Sequence, residues 1–145
     1  NSTIIRDYLG QGKLEAANNC LGWDYELCGR VVKGKGLGKD MKFPTANIEP
    51  NFDNQLIPAK GVYCVDVNIE NKFYLGMCNI GVRPTFYTNG DKVIEVHLIS
   101  DEELNLYDKD IKIIFKKFIR EEKKYKSAAD LTHQLKLDRN VCLTV

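Results

Sequence analysis

The segment Val93-Ile94-Glu95-Val96-His97-Leu98-Ile99 alternates strictly. Ile94, Val96 and Leu98 therefore form one apolar face of a strand, and Glu95 and His97 share the other. A carboxylate in mid-strand among large apolar neighbours is costly unless it has a partner or a task. One such task is general-base chemistry: removing a proton from a hydroxyl nucleophile, helped where partial burial raises the carboxyl pKa. The same alternation also suits two residues that simply face water, and His97 is a second candidate base that nothing local favours.

Upstream, Phe43-Pro44-Thr45-Ala46-Asn47 offers a different chemistry. Proline has no donor and suits the first position of a strand. Beyond it, Thr45 and Asn47 project to the same side. A hydroxyl and a carboxamide oxygen are neutral, hard donors that suit Mg²⁺ when phosphate oxygens and water complete the octahedron. An edge strand with two solvated polar residues fits the pattern as well.

Before this motif, Gly34, Gly36 and Gly38 alternate with Lys33, Lys35 and Lys39 in a short loop. Exposed backbone N–H groups beside positive charge suit a phosphate chain. The loop is not a Walker A motif, because Gly38-Lys39 is followed by Asp40, and it is not a dinucleotide fingerprint, because no helix follows. A solvated hairpin loop is the alternative. Asn79-Ile-Gly81-Val-Arg-Pro84-Thr85-Phe86 reads equally as a shaped turn or a ligand wall. The charge run from Arg120 through Glu121, Glu122, Lys123 and Lys124 to Tyr125 reads, on spacing alone, as solvated surface.

The elements that position these groups change character near residue 25. Ser2-Thr3 can cap a helix carrying Ile5, Tyr8 and Leu9; Leu14, Ala17, Asn18 and Leu21 continue at helical spacing until Gly22. Strands follow near 25–32, 45–48, 61–69, 73–82, 93–99 and 110–119, separated by turn signals at 50–51, Glu70-Asn71 and Asn89-Gly90. Short strands with no helices between them predict an antiparallel barrel or sandwich. Ser127-Ala128-Ala129-Asp130 resembles a capping box that opens a final helix with Leu131 and Leu135 on one face.

Composition narrows the function classes. The chain has 145 residues, 43% of them hydrophobic and 28% charged, with a formal net charge of +1. That balance fits one folded domain with a short appendage and argues against a protein built to grip nucleic acid or an acidic membrane. The longest apolar runs, such as Ile113-Ile114-Phe115, are too short to cross a bilayer. Cys20, Cys28, Cys64, Cys78 and Cys142 form no C-x-x-C pair and have no neighbouring His. They are expected to be reduced and structural, with a reducing, cytoplasmic location.

Together these motifs resemble the riboflavin kinase family. Its F-P-T-A-N motif is intact at Phe43–Asn47, N-I-G-x-x-P-T-F spans Asn79–Phe86, E-V-H is Glu95–His97, and R-x-E-x-K-[FY] is Arg120, Glu122, Lys124 and Tyr125. The resemblance implies a mainly β fold, a six-stranded antiparallel Greek-key barrel with a C-terminal helix. It also implies ATP-dependent phosphorylation of the riboflavin 5′-hydroxyl to FMN. Carried over, Glu95 is the base, and Thr45 and Asn47 hold the divalent cation, Mg²⁺ or another. Gly34, Gly36, Gly38, Lys39, Pro44, Thr45, Asn47 and Asn79 contact ATP; Arg120, Glu122 and Tyr125 belong to the flavin side. The family commonly has Leu-Gly where this chain has Met41-Lys42.

Asn1-Ser2-Thr3-Ile4-Ile5-Arg6 is similar to the S-S-T-x-I-R motif that closes the adenylyltransferase domain of bacterial bifunctional FAD synthetases. This implies a helical stub and connector at 1–22 and a kinase barrel with its helix at 23–145. An N-terminal FMN adenylyltransferase domain would normally be attached; without it the chain is not expected to make FAD. The implied partners are riboflavin and ATP, with no nucleic acid and no membrane. Two other readings, a barrel that binds flavin without turnover and an oligonucleotide-binding barrel, are disfavoured by Glu95 and by the low net charge respectively.

Overall fold

The computed structural model describes residues 1–33, 43–52, 55–83 and 91–145. The expected phosphate-loop residues Gly34, Gly36, Gly38 and Lys39, together with Lys42, Pro84–Phe86 and Asn89-Gly90, lie outside the described residues.

Two short helices, α1 (Ser2–Gly10) and α2 (Leu14–Leu21), precede β1 (Tyr25–Val32), β2 (Thr45–Pro50), β3 (Gly61–Ile69), β4 (Lys72–Arg83), β5 (Asp91–Ile99) and β6 (Asp110–Arg120); α3 (Ala128–Cys142) ends the series. Among the described residues these six strands close into an antiparallel barrel in the order β1-β2-β5-β4-β3-β6. The expected barrel is the one found. The strand limits differ from the expected ones by at most two residues, because ladder pairing runs on past the apolar alternation.

Local sequence explains the joints. Glu70 and Asn71 both adopt positive φ, 52° and 64°, as a two-residue hairpin turn between β3 and β4 requires. Gly22 caps α2 in the left-handed region at φ 83°. Ser127 caps α3 by accepting the Asp130 N–H at 3.1 Å, as the capping box predicts. The cap of α1 differs from expectation: Asn1, not Ser2 or Thr3, accepts the Ile4 N–H at 3.0 Å, since Asn stands where its side chain spans the first turn.

Alternation divides β3 and β4 between two cores. Leu27, Val31, Tyr63, Val65, Ile80, Ile94, Val96, Leu98, Ile113 and Phe115 fill the barrel interior, and Leu9, Leu14 and Ala17 of the helical pair pack into the same cluster. Asn18 ties that pair to the barrel by accepting the Tyr25 N–H at 2.9 Å and donating to the Phe115 carbonyl at 3.0 Å. A second cluster lies outside the barrel: Val62, Cys64 and Met77 from β3 and β4, Phe43, and Leu135 and Cys142 from α3. Helix α3 therefore covers one patch of the outer wall, and this second core positions the site.

The outer core corrects one expectation. Cys64 and Cys142 form a disulfide, with Cα atoms 5.4 Å apart and a sequence separation of 78. Sequence spacing hid the pair because only the docking of α3 across β3 brings the two together. Cys20, Cys28 and Cys78 are free, and Cys78 is buried as a small apolar residue. The reading of all five cysteines as reduced thiols does not hold.

Candidate active site

Strand register gathers the chemistry into two adjacent rows on the outer wall. Asn47 on β2 stands opposite Glu95 on β5, which stands opposite Asn79 on β4; Asn79 is opposite Val62 on β3, and Val62 is opposite Arg120 on β6. The neighbouring row runs Thr45, His97, Met77, Cys64. Directly opposed residues project to the same side of a sheet. Thus the carboxylate, both neutral oxygen donors, an amide and an arginine share one face. Pro44 precedes the rows, and its carbonyl accepts the Leu98 N–H at 2.8 Å, which extends the β2–β5 pairing to the start of the motif.

His97 is the hinge of this arrangement. Its ring is 4% exposed, so it does not face water. Nε2 lies 3.1 Å from Glu95 Oε1, and Nδ1 lies 3.0 Å from Thr45 Oγ1. Thr45 Oγ1 is also within 3.2 Å of the Phe43 carbonyl. The Glu95 side chain retains 36% of its exposure, a carboxylate anchored on one side and open on the other.

Helix α3 closes the far end. The Arg120 guanidinium donates from Nε and Nη2 to both oxygens of Asp138, at 2.9 to 3.2 Å. Gln134 donates to the same carboxylate at 3.0 Å. Asp138 is 3% exposed, a cost met by these charge-assisted bonds. Burial alone would lower the Arg120 pKa, but the hydrogen bonds and charge of Asp138 outweigh it and hold the group above its ordinary value. Tyr125 stacks near this arginine, ring centroid 5.9 Å from Cζ. Burial pushes its phenol up, against an opposing pull from Arg120.

Between these walls lies a cleft of about 140 Å³ bounded by Asn79, Glu95, His97, Arg120, Lys123 and Tyr125, with Leu131 and Leu135 of α3 above. Two polar atoms on its lining, Asn79 Oδ1 and Tyr125 OH, are buried and have no hydrogen-bond partner among the described residues. Buried polar atoms ordinarily find partners, so orphans at a cleft point to a ligand or water. Glu122 lies beside the cleft, its carboxylate pressed on the bare Cα of Gly81: a Cβ there would stand 2.6 Å from Oε1.

Among the described residues no cluster of three or more His, Cys, Asp or Glu side chains could hold a metal ion. The donors beside Glu95 are instead the neutral oxygens of Thr45 and Asn47. Such a pair fits Mg²⁺ only where anionic phosphate and water supply the remaining ligands.

Glu95, Asn79, Arg120 and Tyr125 thus meet in one cleft, with Thr45 and Asn47 at its β2 edge. Spacing alone did not single out Lys123, Gln134 or Asp138. Asp138 did leave a signal. Leu131, Leu135, Asp138 and Cys142 recur every three to four residues, which sets a carboxylate in the buried seam of a helix.

A closed antiparallel barrel with a carboxylate-bearing polar row on its outer wall, covered by a C-terminal helix, defines a class of small β-barrel enzymes. The comparisons give the family. Residues 21–145 match the family model described as Flavokinase: Riboflavin kinase. The chain belongs to the riboflavin kinase family, whose members are phosphotransferases. It is 38% identical over 141 residues to the bifunctional riboflavin kinase/FMN adenylyltransferase of Bacillus subtilis, a match that covers 96% of this chain and 44% of that protein. The chain thus spans less than half the length of that relative. Its fold matches the crystal structure titled riboflavin kinase from Trypanosoma brucei with a TM-score of 0.57 and 25% identity, over 82% of this chain and 77% of that one. A Streptococcus pneumoniae structure titled macrolide-efflux protein matches with a TM-score of 0.90 and 32% identity, over 100% of this chain and 47% of that one.

Proposed function

We propose that the chain transfers the γ-phosphoryl group of ATP to the terminal hydroxyl of riboflavin, giving FMN and ADP. The observation that carries this reading is the cross-strand row in which Glu95 lies between Asn47 and Asn79. It sets an anchored carboxylate between neutral oxygen donors on one side and, on the other, an acceptor without a partner among the described residues.

Phosphoryl transfer asks a protein for positioning and charge neutralisation more than for covalent chemistry. The hydroxyl oxygen attacks the γ-phosphorus, its proton passes to Glu95, and the bond from that phosphorus to the ADP oxygen breaks. Mg²⁺, held by Thr45 and Asn47, supplies charge neutralisation on the phosphates when bound. Riboflavin carries a polyol chain, and hydroxyl donors match the acceptors that line the cleft, Glu95 and Asn79 Oδ1. At about 140 Å³ the cleft is smaller than the roughly 300 Å³ that encloses a drug-sized ligand. It suits the reacting end of the substrate. Arg120, Glu122 and Tyr125 form the flavin-side wall, with Arg120 clamped by Asp138 rather than free to swing. Gly34, Gly36, Gly38 and Lys39 line the ATP phosphates, with Pro44 and Asn79 at the same ligand.

Residues 1–22 are read as the connector from an FMN adenylyltransferase domain, in keeping with the bifunctional relative. The barrel with its helix, 23–145, is the kinase module. The test is the purified chain with riboflavin, ATP and Mg²⁺, FMN being read by chromatography. Riboflavin bound without any FMN formed would replace the kinase reading with that of a flavin-binding barrel.

A further inference from the structure

We infer that His97 is a positioning residue that couples the two halves of this site through the two nitrogens of one buried ring. Its Nε2 faces Glu95 and its Nδ1 faces Thr45. The inference rests on the roles proposed above for Glu95 and Thr45.

The geometry admits a continuous chain, Thr45 Oγ1 to Nδ1 at 3.0 Å and Nε2 to Glu95 Oε1 at 3.1 Å. A carboxylate only accepts, so the nitrogen facing Glu95 carries a proton. At the other end Thr45 Oγ1 meets Nδ1 at 3.0 Å and donates to the Phe43 carbonyl at 3.2 Å. The consequence at Thr45 is specific. Held between these two partners, the hydroxyl oxygen is fixed in one orientation for a cation. The consequence at Glu95 is equally specific. With Oε1 fixed by His97, Oε2 is the oxygen left for a substrate hydroxyl.

Burial makes the ring a rigid spacer. His97 lies among the apolar side chains of β4 and β5, 4% exposed, with Met77 directly opposite on β4. Its ring cannot rotate without breaking both bonds. Its two contacts link the proton acceptor on β5 to the cation donor on β2 across the β2–β5 ladder. Orienting partners of this kind typically change metal affinity or activity by about 10- to 100-fold when lost.

The two ring nitrogens can be separated by substitution. In Asn the amide lies near the Nδ1 position, and in Gln near Nε2. His97→Ala is expected to lower kcat by about tenfold or more and to weaken MgATP binding, measured by calorimetry, by a similar factor. His97→Gln should restore most of kcat but not the MgATP affinity. His97→Asn should restore MgATP affinity but not kcat. Equal loss of both quantities in all three folded variants, or no loss in any, would reduce His97 to a packing residue and overturn the inference. A readout independent of turnover is proton–nitrogen correlation NMR of the imidazole in the ligand-free chain. It should show a proton on Nε2, whereas a bare Nε2 would contradict the inference. If Glu95→Gln keeps full activity, the base reading fails, yet the Nε2 proton and the MgATP comparison still judge His97.

Discussion

Arg120, the last residue of β6, grips Asp138 in α3 through three hydrogen bonds of 2.9 to 3.2 Å, and this pair fixes the helix over the cleft. Removing one partner of a buried ion pair leaves the other uncompensated, at about 3 to 5 kcal/mol. Arg120 is partly exposed, so the lower end applies. Asp138→Ala should lower stability by about 3 kcal/mol in denaturant titration and raise the KM for riboflavin, because Arg120 and Tyr125 lose their anchor. Wild-type stability and KM in this variant would remove the clamp from the account.

The disulfide makes a second link between α3 and the barrel. The unreduced, denatured chain should titrate three thiols, Cys20, Cys28 and Cys78, and all five after reduction. A bridge that closes 78 residues is worth about 4 kcal/mol in the chain-entropy picture. Reductant, or Cys64→Ser with Cys142→Ser, should therefore lower Tm by several degrees. Five thiols in the unreduced protein would show that the bridge is absent.

Alkaline pH should destabilise the fold through two buried groups. Burial raises the Cys78 thiol and the Tyr63 phenol well above their ordinary values of 9.0 and 10.0. A raised pKa means that the folded chain holds these protons where the unfolded chain releases them. Their contribution is complete below about pH 9 and declines as pH rises beyond it. Chemical denaturation between pH 7 and 11 should show a plateau and then a fall, and Cys78→Ala should reduce the slope of that fall. A flat profile through pH 11 would contradict the burial of these groups.

Thr45→Ala combined with Asn47→Ala should weaken ATP binding in the presence of Mg²⁺ by about tenfold or more, about 1.4 kcal/mol per decade. ATP binding in EDTA should change little. Equal effects with and without Mg²⁺ would assign these residues to the nucleotide rather than to the cation.

Much of the fold was legible because alternation is a local signal. The apolar face of β5 and the shared face of Thr45 and Asn47 follow from period two alone. Which strands close on each other does not. Nothing local says that Asn47, Glu95, Asn79 and Arg120 form one row, since that depends on register across five strands. The same holds for Cys64 with Cys142 and for Arg120 with Asp138, pairs made only when α3 docks. The charge run after Arg120 looked like solvated surface because a pairing partner 18 residues away in sequence is invisible to spacing. The alternation places His97 on the face it occupies, but its burial and its contact with Thr45 depend on β2 and β4 packing around it.

The central claim is that Glu95 takes the proton of the riboflavin hydroxyl. Loss of a general base typically costs about 10² to 10⁴ in rate. Glu95→Gln, which keeps the shape and an acceptor oxygen, should lower FMN formation by that range while riboflavin and MgATP bind within about threefold of wild type. Wild-type turnover by Glu95→Gln, with ligands bound normally, would contradict the account.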